Sequence, residues 1–203
     1  MTITLHQGDL PDGVDFGAAV AVDTETLGLR PHRDRLCLVQ LSAGDGSAHL
    51  VQMPQEGIEA PNLRRLLTDP DVQKIFHFAR FDLAVLEHAL GVMAEPVFCT
   101  KVASKLARTY TDRHSLKDLT RELLGIELSK LQQSSDWGAS ELSQAQLEYA
   151  AADVLHLHAL RDRLREMLER EGRTQLAEAC FAFLSTRARL DLAGFLDDDI
   201  LAH

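Results

Sequence analysis

The chain has 203 residues, of which 45% are hydrophobic and 26% are charged, and its formal net charge is −10 at pH 7. This composition is typical of one folded globular domain and excludes a disordered chain. The acidity argues against a protein that coats long nucleic acid through counterion release. It allows a protein that handles phosphate through metal ions bound by carboxylates.

The sequence contains no signal for secretion or membrane insertion. The N-terminal residues lack a charged-then-apolar pattern, and no apolar run reaches the length of a membrane span. The three cysteines are widely spaced in apolar surroundings, which is typical of buried thiols in a reducing compartment. We therefore expect a cytoplasmic protein without a membrane partner.

Five segments in the first half of the chain have the composition of β-strands. They are residues 18–23, 35–43, 47–53, 72–78 and 96–100. Gly44-Asp45-Gly46 separates the second segment from the third, and this turn signal predicts that the two form a hairpin.

Helical patterns alternate with the later strands and then continue to the end of the chain. The predicted helices are residues 60–70, 80–91, 101–110, 114–125, 143–172 and 174–189. This arrangement predicts one α/β domain over residues 1–203. We expect residues 171–203, a helix and an apolar, acidic tail, to lie at an interface with a neighbouring copy.

Four carboxylates lie at positions where an ionised acid is unfavourable unless it binds a partner. Asp23 and Glu25 end the first predicted strand two residues apart, so their side chains point to the same side. Like charges so close raise each other's pKa unless a cation neutralises them. A turn-forming Asp followed by an unrelated Glu is the alternative.

Asp82 opens the helix after the fourth strand, where it could simply favour the helix dipole. Asp153 lies within an apolar helix face, where a buried acid must be paired or metal-bound.

Together these segments offer only oxygen ligands to one site. Such a ligand set favours Mg²⁺ or Mn²⁺ over zinc. Two such ions held close together form the machinery of phosphodiester hydrolysis. Tyr149 lies four residues before Asp153, so the two side chains share a helix face.

Three motifs carry a resemblance to a known family through their order and spacing. They are Asp23-Thr24-Glu25-Thr26, residues 77–82, and the YAAAD run of residues 149–153. The chain resembles the DEDD 3′–5′ exonucleases. It resembles their Tyr-containing branch, because the other branch has a His five residues before the last Asp, where Glu148 stands here. Residues 128–137 are similar to ribonuclease D, and nearly the whole chain resembles the nano-RNase C family of compact, ribonuclease D-like bacterial enzymes.

The resemblance implies an α/β fold of the ribonuclease H-like type, a mixed five-stranded sheet with helices on both faces and further C-terminal helices. It also implies two divalent cations, Mg²⁺ or Mn²⁺. Asp23 would bridge both ions, and Glu25 and Asp153 would complete the first. Asp82 would hold the second, largely through water, and Tyr149 would orient the attacking water by a hydrogen bond.

Substrate contacts follow from the same resemblance. Leu27 would be an apolar wedge between the two terminal bases. Thr24 and Thr26 would meet the terminal nucleotide, and His77 and Phe81 would line the region of the scissile bond.

The remaining candidate contacts come from the residues themselves. Trp137 could stack on a base or pack its loop against the core. Residues 101–130 carry seven Lys or Arg against four acids, a charge of +3 in a chain whose remainder is −13. This segment predicts either a surface for an anionic ligand or a solvated helix face. Arg113 and His114 within it could grip a 5′-phosphate.

We interpret the sequence as a metal-dependent 3′–5′ exoribonuclease that hydrolyses short RNA oligonucleotides, dinucleotides especially, to nucleoside 5′-monophosphates. The alternatives are a general exonuclease on longer RNA or DNA ends, like ribonuclease D, and an inactive nucleic-acid-binding scaffold, against which the complete set of acids argues. The acidity favours short substrates. So do the 50 residues after Asp153, too few for the helical domains that follow the catalytic domain of ribonuclease D. By the resemblance we expect a ring-like homo-oligomer.

Overall fold

The computed structural model of the chain describes residues 2–129, 131–132, 134–198 and 200–203. Over these residues six strands form one mixed sheet in the order β1-β4-β3-β2-β5-β6. The strands are β1 (Thr2–Gln7), β2 (Ala19–Thr26), β3 (Leu36–Ser42), β4 (Ser47–Gln52), β5 (Gln73–Phe76) and β6 (Val97–Cys99).

Seven α-helices accompany the sheet within the described ranges. They are α1 (Pro61–Thr68), α2 (Ala79–Leu90), α3 (Thr100–Ala107), α4 (Leu116–Leu119), α5 (Gln144–Leu155), α6 (Leu157–Arg170) and α7 (Thr174–Leu190). Two π-helical turns, Thr120–Leu124 and Asp191–Phe195, continue α4 and α7. None of these helices is both long and apolar enough to cross a bilayer.

The predicted hairpin is confirmed, because β3 and β4 pair antiparallel. Gly44 and Gly46 both have a positive φ, of 79° and 88°, which a residue with a side chain rarely adopts. Between them, Asp45 Oδ1 accepts a 2.9 Å hydrogen bond from the Ser47 amide. The glycine pair and the short acid therefore set the turn.

Over the described residues the sheet has six strands, one more than the five that the sequence predicted. The strand that the prediction missed, β1, pairs parallel with β4 at the edge of the sheet. Its sequence, TITLHQ, is largely polar, and most of its side chains are exposed or half-buried. An edge strand of this kind has too few buried apolar residues to produce a clear alternating pattern.

The single helix predicted over residues 143–172 is divided in the structure. It breaks at His156, so that α5 contacts β3 and β4 while α6 packs against α3. Neither a Gly nor a Pro marks this position. The break follows from packing against two different neighbours, which local helix propensity does not encode.

Helices cover both faces of the sheet, as predicted. Val39 and Val51, which pair across β3 and β4, belong to the main apolar core with residues of α2 and α6. Leu38 and Leu50 belong to a second, smaller cluster that contains Ala150 of α5. Because successive side chains of a strand point to opposite faces, α5 lies on the face away from the main core.

The sheet brings the acid-bearing segments to one end. β2 and β5 are parallel neighbours, and β2 continues beyond the residues that pair with β5. The chain then leaves β5 and enters α2 at Ala79. The carboxyl ends of parallel strands are where open α/β sheets form ligand crevices.

Candidate active site

Three of the predicted acids meet at the end of β2. Asp23 and Glu25 project from β2 toward Asp153 of α5, and one carboxylate oxygen from each lies within 4.8 Å of the other two. All three side chains are partly buried. The two-residue spacing on the strand thus places both acids on the face that α5 covers.

The fourth acid, Asp82, comes from the first turn of α2 and is only 3% exposed. Its charge acts on Asp23 and Glu25, because it raises the pKa of both. The charge of Asp153 in turn raises the pKa of Asp82. Asp82 therefore belongs to the acidic cluster, a role that an acid serving only the helix dipole would not have.

Burial and mutual repulsion hold protons on this cluster at neutral pH when no cation is bound. Burial is the largest cause in each case. It raises the pKa of Glu25 to about 8 and the pKa of Asp82 and of Asp153 to about 7. The pKa of Asp23 is raised well above its usual range by burial and then by its three acidic neighbours.

The residues present fit a divalent cation. Within the described part of the chain, no Lys or Arg forms an ion pair with any of the four acids. The donors are all carboxylate oxygens, which Mg²⁺ and Mn²⁺ prefer, and bound cations would relieve the repulsion that raises the pKa values.

Tyr149 lies one helical turn before Asp153 on α5, and its hydroxyl donates a hydrogen bond to the Asp153 carboxylate. Burial, and after it the charges of Asp153 and Glu25, raise the pKa of Tyr149 above its ordinary value. The phenol therefore stays protonated at neutral pH. It is a hydrogen-bond donor at the edge of the cluster and not a base.

Two partners of the acids were not predicted as such. The Thr24 hydroxyl donates a 2.7 Å hydrogen bond to Asp82 Oδ1. Gln40, fully buried on β3 and paired with Asp23 in the sheet register, donates through Nε2 to Asp23 Oδ2 at 3.3 Å. The buried glutamine in the apolar run LCLVQLS was the only sequence signal for this contact.

The hydroxyls of both predicted threonine contacts donate hydrogen bonds within the protein, so each could meet a nucleotide only as an acceptor. Thr24 bonds to Asp82, and the Thr26 hydroxyl donates to the Gly28 carbonyl within its own loop.

His77 is neutral in this environment. Burial and then the nearby charge of Lys101 lower the pKa of His77 to about 3. Thr100 donates its hydroxyl hydrogen to the Phe76 carbonyl, so its oxygen accepts from His77 Nδ1, 2.9 Å away. The unprotonated nitrogen is then Nε2. Phe81, the other predicted lining residue, packs partly buried against the main core.

The contact between Phe78 and Lys101, a cation of the basic segment, was not predicted. Phe78 has φ = 69°, the one positive φ among the described non-glycine residues, and is 44% exposed. Lys101 Nζ lies 4.2 Å from the centre of its ring. Backbone strain of this kind concentrates at functional sites. No local pattern predicts the strain, because it depends on how β5 passes into α2.

Leu27 is 54% exposed and directly follows β2, two residues after Glu25. It thus presents an apolar side chain at the edge of the acidic cluster. Trp137 is only 3% exposed, and its ring centre lies 6.1 Å from that of Tyr149. This burial leaves its ring unavailable for a base. It matches the alternative interpretation, a Trp that packs its loop against the core.

The predicted basic surface over residues 101–130 is partly neutralised by acids of the same segment. Arg108 is 1% exposed and forms an ion pair with Glu122. Arg121 pairs with Asp118 at 3.0 Å. These pairs remove two of the seven predicted cations from any ligand-binding surface.

Arg113 and His114 also have partners inside the protein. Arg113 Nη1 lies 3.7 Å from a Glu122 carboxylate oxygen, and its side chain is otherwise exposed. His114 Nδ1 lies 2.8 Å from the Ser104 hydroxyl. Lys130, the last cation of the segment, lies outside the described residues.

The sequence is similar to known exonucleases. Residues 11–169 match the 3′–5′ exonuclease family. The ribonuclease D of Gluconacetobacter diazotrophicus is 40% identical over 169 residues, which are 83% of this chain and 42% of that protein. The chain spans about two fifths of the length of the curated relatives it matches.

The fold is also similar to solved structures over its whole length. NrnC of Brucella melitensis with bound Mg²⁺ is 60% identical, with all of both chains covered and a TM-score of 0.96. The same protein bound to pGG is 61% identical, with 100% of this chain and 99% of that chain covered and a TM-score of 0.97.

Proposed function

This chain belongs to the 3′–5′ exonuclease family, and on that premise we propose that it hydrolyses short RNA oligonucleotides, dinucleotides especially, to nucleoside 5′-monophosphates. The observation that carries the proposal is the cluster of Asp23, Glu25 and Asp153, with carboxylate oxygens within 4.8 Å of one another and Asp82 beside them. Such a cluster without a cationic partner suits phosphodiester chemistry on divalent cations.

Four carboxylates in one cluster could hold two cations. We assign Glu25 and Asp153 to the first position, Asp82 to the second, and Asp23 to both. When bound, two Mg²⁺ or Mn²⁺ ions would stabilise negative charge on the phosphate oxygens and lower the pKa of an attacking water. The Mg²⁺-bound NrnC, with 60% identity over the whole chain, supports this assignment.

Neutral side chains of the protein would orient the attacking water and the carboxylates that hold the cations. The neutral Tyr149 hydroxyl, already hydrogen-bonded to Asp153, would position the attacking water without taking its proton. Gln40 fixes the carboxylate of Asp23, and Thr24 fixes that of Asp82. Each of these neutral donors stabilises the ionised form of the acid that it contacts.

Leu27 and His77 would contact the nucleotides. Leu27 offers an exposed apolar side chain against which a base can pack, two residues from Glu25. His77 stays neutral across the physiological pH range, so it would offer Nε2 as a hydrogen-bond acceptor to a hydroxyl of the ribose or of a water.

A preference for short substrates agrees with the distribution of charge. Binding to long strands requires many phosphate contacts from Lys and Arg. Here the chain is acidic, and Arg108 and Arg121 are already paired with acids. Lys101, beside Phe78 and His77, remains as a cation for a 5′-phosphate. The NrnC structure bound to pGG, a relative of 61% identity, supports the same substrate class.

The test is a length series of 5′-phosphorylated RNA, from two to about twenty nucleotides, assayed with Mg²⁺ or Mn²⁺. We expect kcat/KM to be highest for the dinucleotide and to fall within a few added nucleotides. Chelation with EDTA should abolish turnover, and Asp153→Asn is the inactive control. Full turnover in metal-free protein, or equal processing of the twenty-nucleotide strand, would overturn the proposal.

A general 3′–5′ exonuclease on longer RNA or DNA ends is the second candidate. The 40% identity to a ribonuclease D favours it. The same length series decides between the two, since a general exonuclease would shorten the long strands without a preference for the dinucleotide. A matched DNA series would show whether the enzyme prefers RNA or DNA.

We also propose that α7 and the tail after it contribute to an interface in a homo-oligomer. Phe183 and Phe195 expose large apolar side chains there. The tail itself is anchored on its own chain, because Asp191 accepts two hydrogen bonds from Arg80, at 2.6 and 2.7 Å. Light scattering should give a multiple of the chain mass that falls in the Phe183→Ser variant. A monomeric wild-type protein would contradict this.

A further inference from the structure

The loop of residues 136–138 contacts two proposed functional side chains at once. Its Trp137 packs on Tyr149, as described above, and its Gly138 faces Leu27 from across the site. The glycine has an unusual setting: a Cβ atom at position 138 would lie 2.7 Å from Leu27 Cδ2. Real Cβ atoms essentially never approach another heavy atom so closely, so a side chain at 138 would displace the tip of Leu27.

The glycine is needed for space and not for backbone conformation. Its φ is outside the left-handed region, so an alanine could adopt the same backbone. The other neighbours of the added Cβ would be Asp136 Oδ1 at 3.3 Å and Arg35 Nη2 at 3.5 Å. The contact with Asp136 would be tight, but only the contact with Leu27 is below 3.0 Å and therefore requires the neighbour to shift.

The backbone that carries Leu27 is held in place. The Leu27 amide donates to the Arg35 carbonyl at 3.2 Å, across the base of the loop. Gly28 packs directly against the carboxylate of Asp34, which also accepts a 2.9 Å hydrogen bond from the Arg30 amide. A side chain added at position 138 would therefore be accommodated by rotation of the Leu27 side chain and not by movement of its backbone.

The backbone of the 136–138 loop is also held in place by hydrogen bonds. Gln146 Nε2 donates to the Asp136 carbonyl at 3.1 Å, and Gln52 Nε2 donates to the Ala139 carbonyl at 3.0 Å. The Gly138 amide donates to Asp136 Oδ1 at 3.0 Å. With both backbones anchored, the missing side chain at 138 determines where the Leu27 side chain lies.

We propose that Gly138 is a specificity-determining residue: the space that it leaves sets the position of the Leu27 side chain, and with it the fit of the bases of a short RNA. This inference rests on the proposed function, because it needs Leu27 to contact substrate bases. Gly138 itself is a positioning residue that acts through Leu27.

The expected effect follows from the geometry. Ordinary carbon–carbon contacts lie at about 3.5–4.0 Å, so a methyl group at 138 requires the tip of Leu27 to move by roughly 1 Å. A misplacement of about 1 Å at a site that positions substrate can reduce the rate by on the order of 10²-fold. Leu27 would contact bases and not the cations, so most of the loss should appear in KM.

The test is a double-mutant cycle on 5′-phosphorylated dinucleotide RNA with Leu27→Ala, Gly138→Ala and the double variant. We expect Gly138→Ala to lower kcat/KM by at least tenfold in the wild-type background, and by less than about twofold in the Leu27→Ala background, where the atom that clashes is absent. Leu27→Met in the Gly138→Ala background should recover most of the loss, because an unbranched side chain can avoid the methyl group.

Ser140→Ala, in the same loop but exposed, is the matched control and should leave kcat/KM unchanged. Thermal unfolding of each variant reports whether it is folded. Equal losses from Gly138→Ala in both backgrounds, or no loss in either, would overturn the inference while leaving the proposed function intact. A wild-type protein that does not favour the dinucleotide would instead refute the proposed function, which the length series reports separately.

Discussion

The hydroxyl of Thr24 donates a 2.7 Å hydrogen bond to Oδ1 of Asp82, which joins the middle of the acidic strand to the first turn of α2. Burial raises the pKa of Asp82 to about 7, and the bond from Thr24 acts in the opposite direction, since it favours the ionised carboxylate. Thr24 thus keeps Asp82, the proposed cation ligand, closer to its charged form at neutral pH.

Replacement of Thr24 by Val should weaken the cation site at Asp82. Without the hydroxyl, the pKa of Asp82 should rise further, and more of it should be neutral at pH 7. A hydrogen bond to a charged group contributes about 1.5 kcal/mol, so the Mg²⁺ concentration for half-maximal activity should rise by about tenfold. The acid limb of the pH–rate profile should move to higher pH. Thr24→Ser, which retains the hydroxyl, should behave like the wild type, and an unchanged Mg²⁺ requirement in Thr24→Val would contradict the role.

The metal-free protein should lose stability as the pH rises from 6.5 to 8. In the folded state Glu25, Asp82 and Asp153 have pKa values of about 8, 7 and 7, whereas free carboxyls titrate near ~4 in an unfolded chain. The folded state therefore binds more protons in this window. Its stability is fully present below the unfolded pKa and is lost as the pH rises through the folded values.

Two other titrating groups limit the pH range in which this loss of stability can be measured. His77 has a folded pKa of about 3 and adds stability up to the usual pKa of a His, near ~6.5. Lys74 has a folded pKa of about 8 and adds stability above it. Thermal unfolding should therefore be compared with EDTA and with saturating Mg²⁺ between pH 6.5 and 8. The two curves should separate with rising pH, and Asp153→Asn should reduce the separation. Parallel curves would refute the acidic cluster as the source.

Part of the arrangement of the acids could be predicted from the sequence because the relevant signals are local. Asp23 and Glu25 share a side through strand periodicity alone, and Tyr149 and Asp153 through one turn of a helix. The assembly of the two pairs with each other and with Asp82 needed the fold. The turn at Gly44–Gly46 was likewise readable from glycines that adopt a positive φ.

What the sequence did not predict depends on contacts between distant segments. The strand β1 is an edge strand with few buried residues, and the break at His156 follows from two different packing partners. The burial of Arg108 against Glu122 removed a cation that composition counted as surface charge. Gln40 became a partner of Asp23 only through the register of β2 and β3.

The Tyr149→Phe variant should lose turnover but not substrate affinity. The hydroxyl is assigned to positioning of the attacking water, so kcat should fall by ~10–100-fold while KM changes little. Because burial and the neighbouring acids raise the pKa of Tyr149 above its ordinary value, its ionisation is not part of the pH–rate profile. The acid limb of the profile should move to higher pH, because Asp153 loses the hydrogen bond that favours its ionised form. A large rise of KM at constant kcat would assign the hydroxyl to substrate binding instead.

The last prediction concerns recognition of the 5′-phosphate. Lys101 Nζ lies 4.2 Å from the ring centre of Phe78, and its charge adds to the effect of burial in lowering the pKa of His77, so the lysine lies beside the 77–82 segment that carries Asp82. Lys101→Met should remove the preference for a 5′-phosphorylated dinucleotide. The ratio of kcat/KM between phosphorylated and unphosphorylated dinucleotide should fall by about tenfold, since a hydrogen bond between charged groups contributes roughly 1.5–3 kcal/mol.

The controls separate this contact from a general effect of charge. Lys105→Met removes the same charge one turn further along α3, where the side chain is exposed, and should leave the ratio unchanged. Arg113→Met should also leave it unchanged, because Arg113 is already near the carboxylate of Glu122. If Lys101→Met lowers kcat/KM equally for both substrates, the lysine acts on the scissile phosphate or on the fold. A loss of the ratio in Arg113→Met would return the 5′-phosphate to Arg113, the residue that the sequence first indicated.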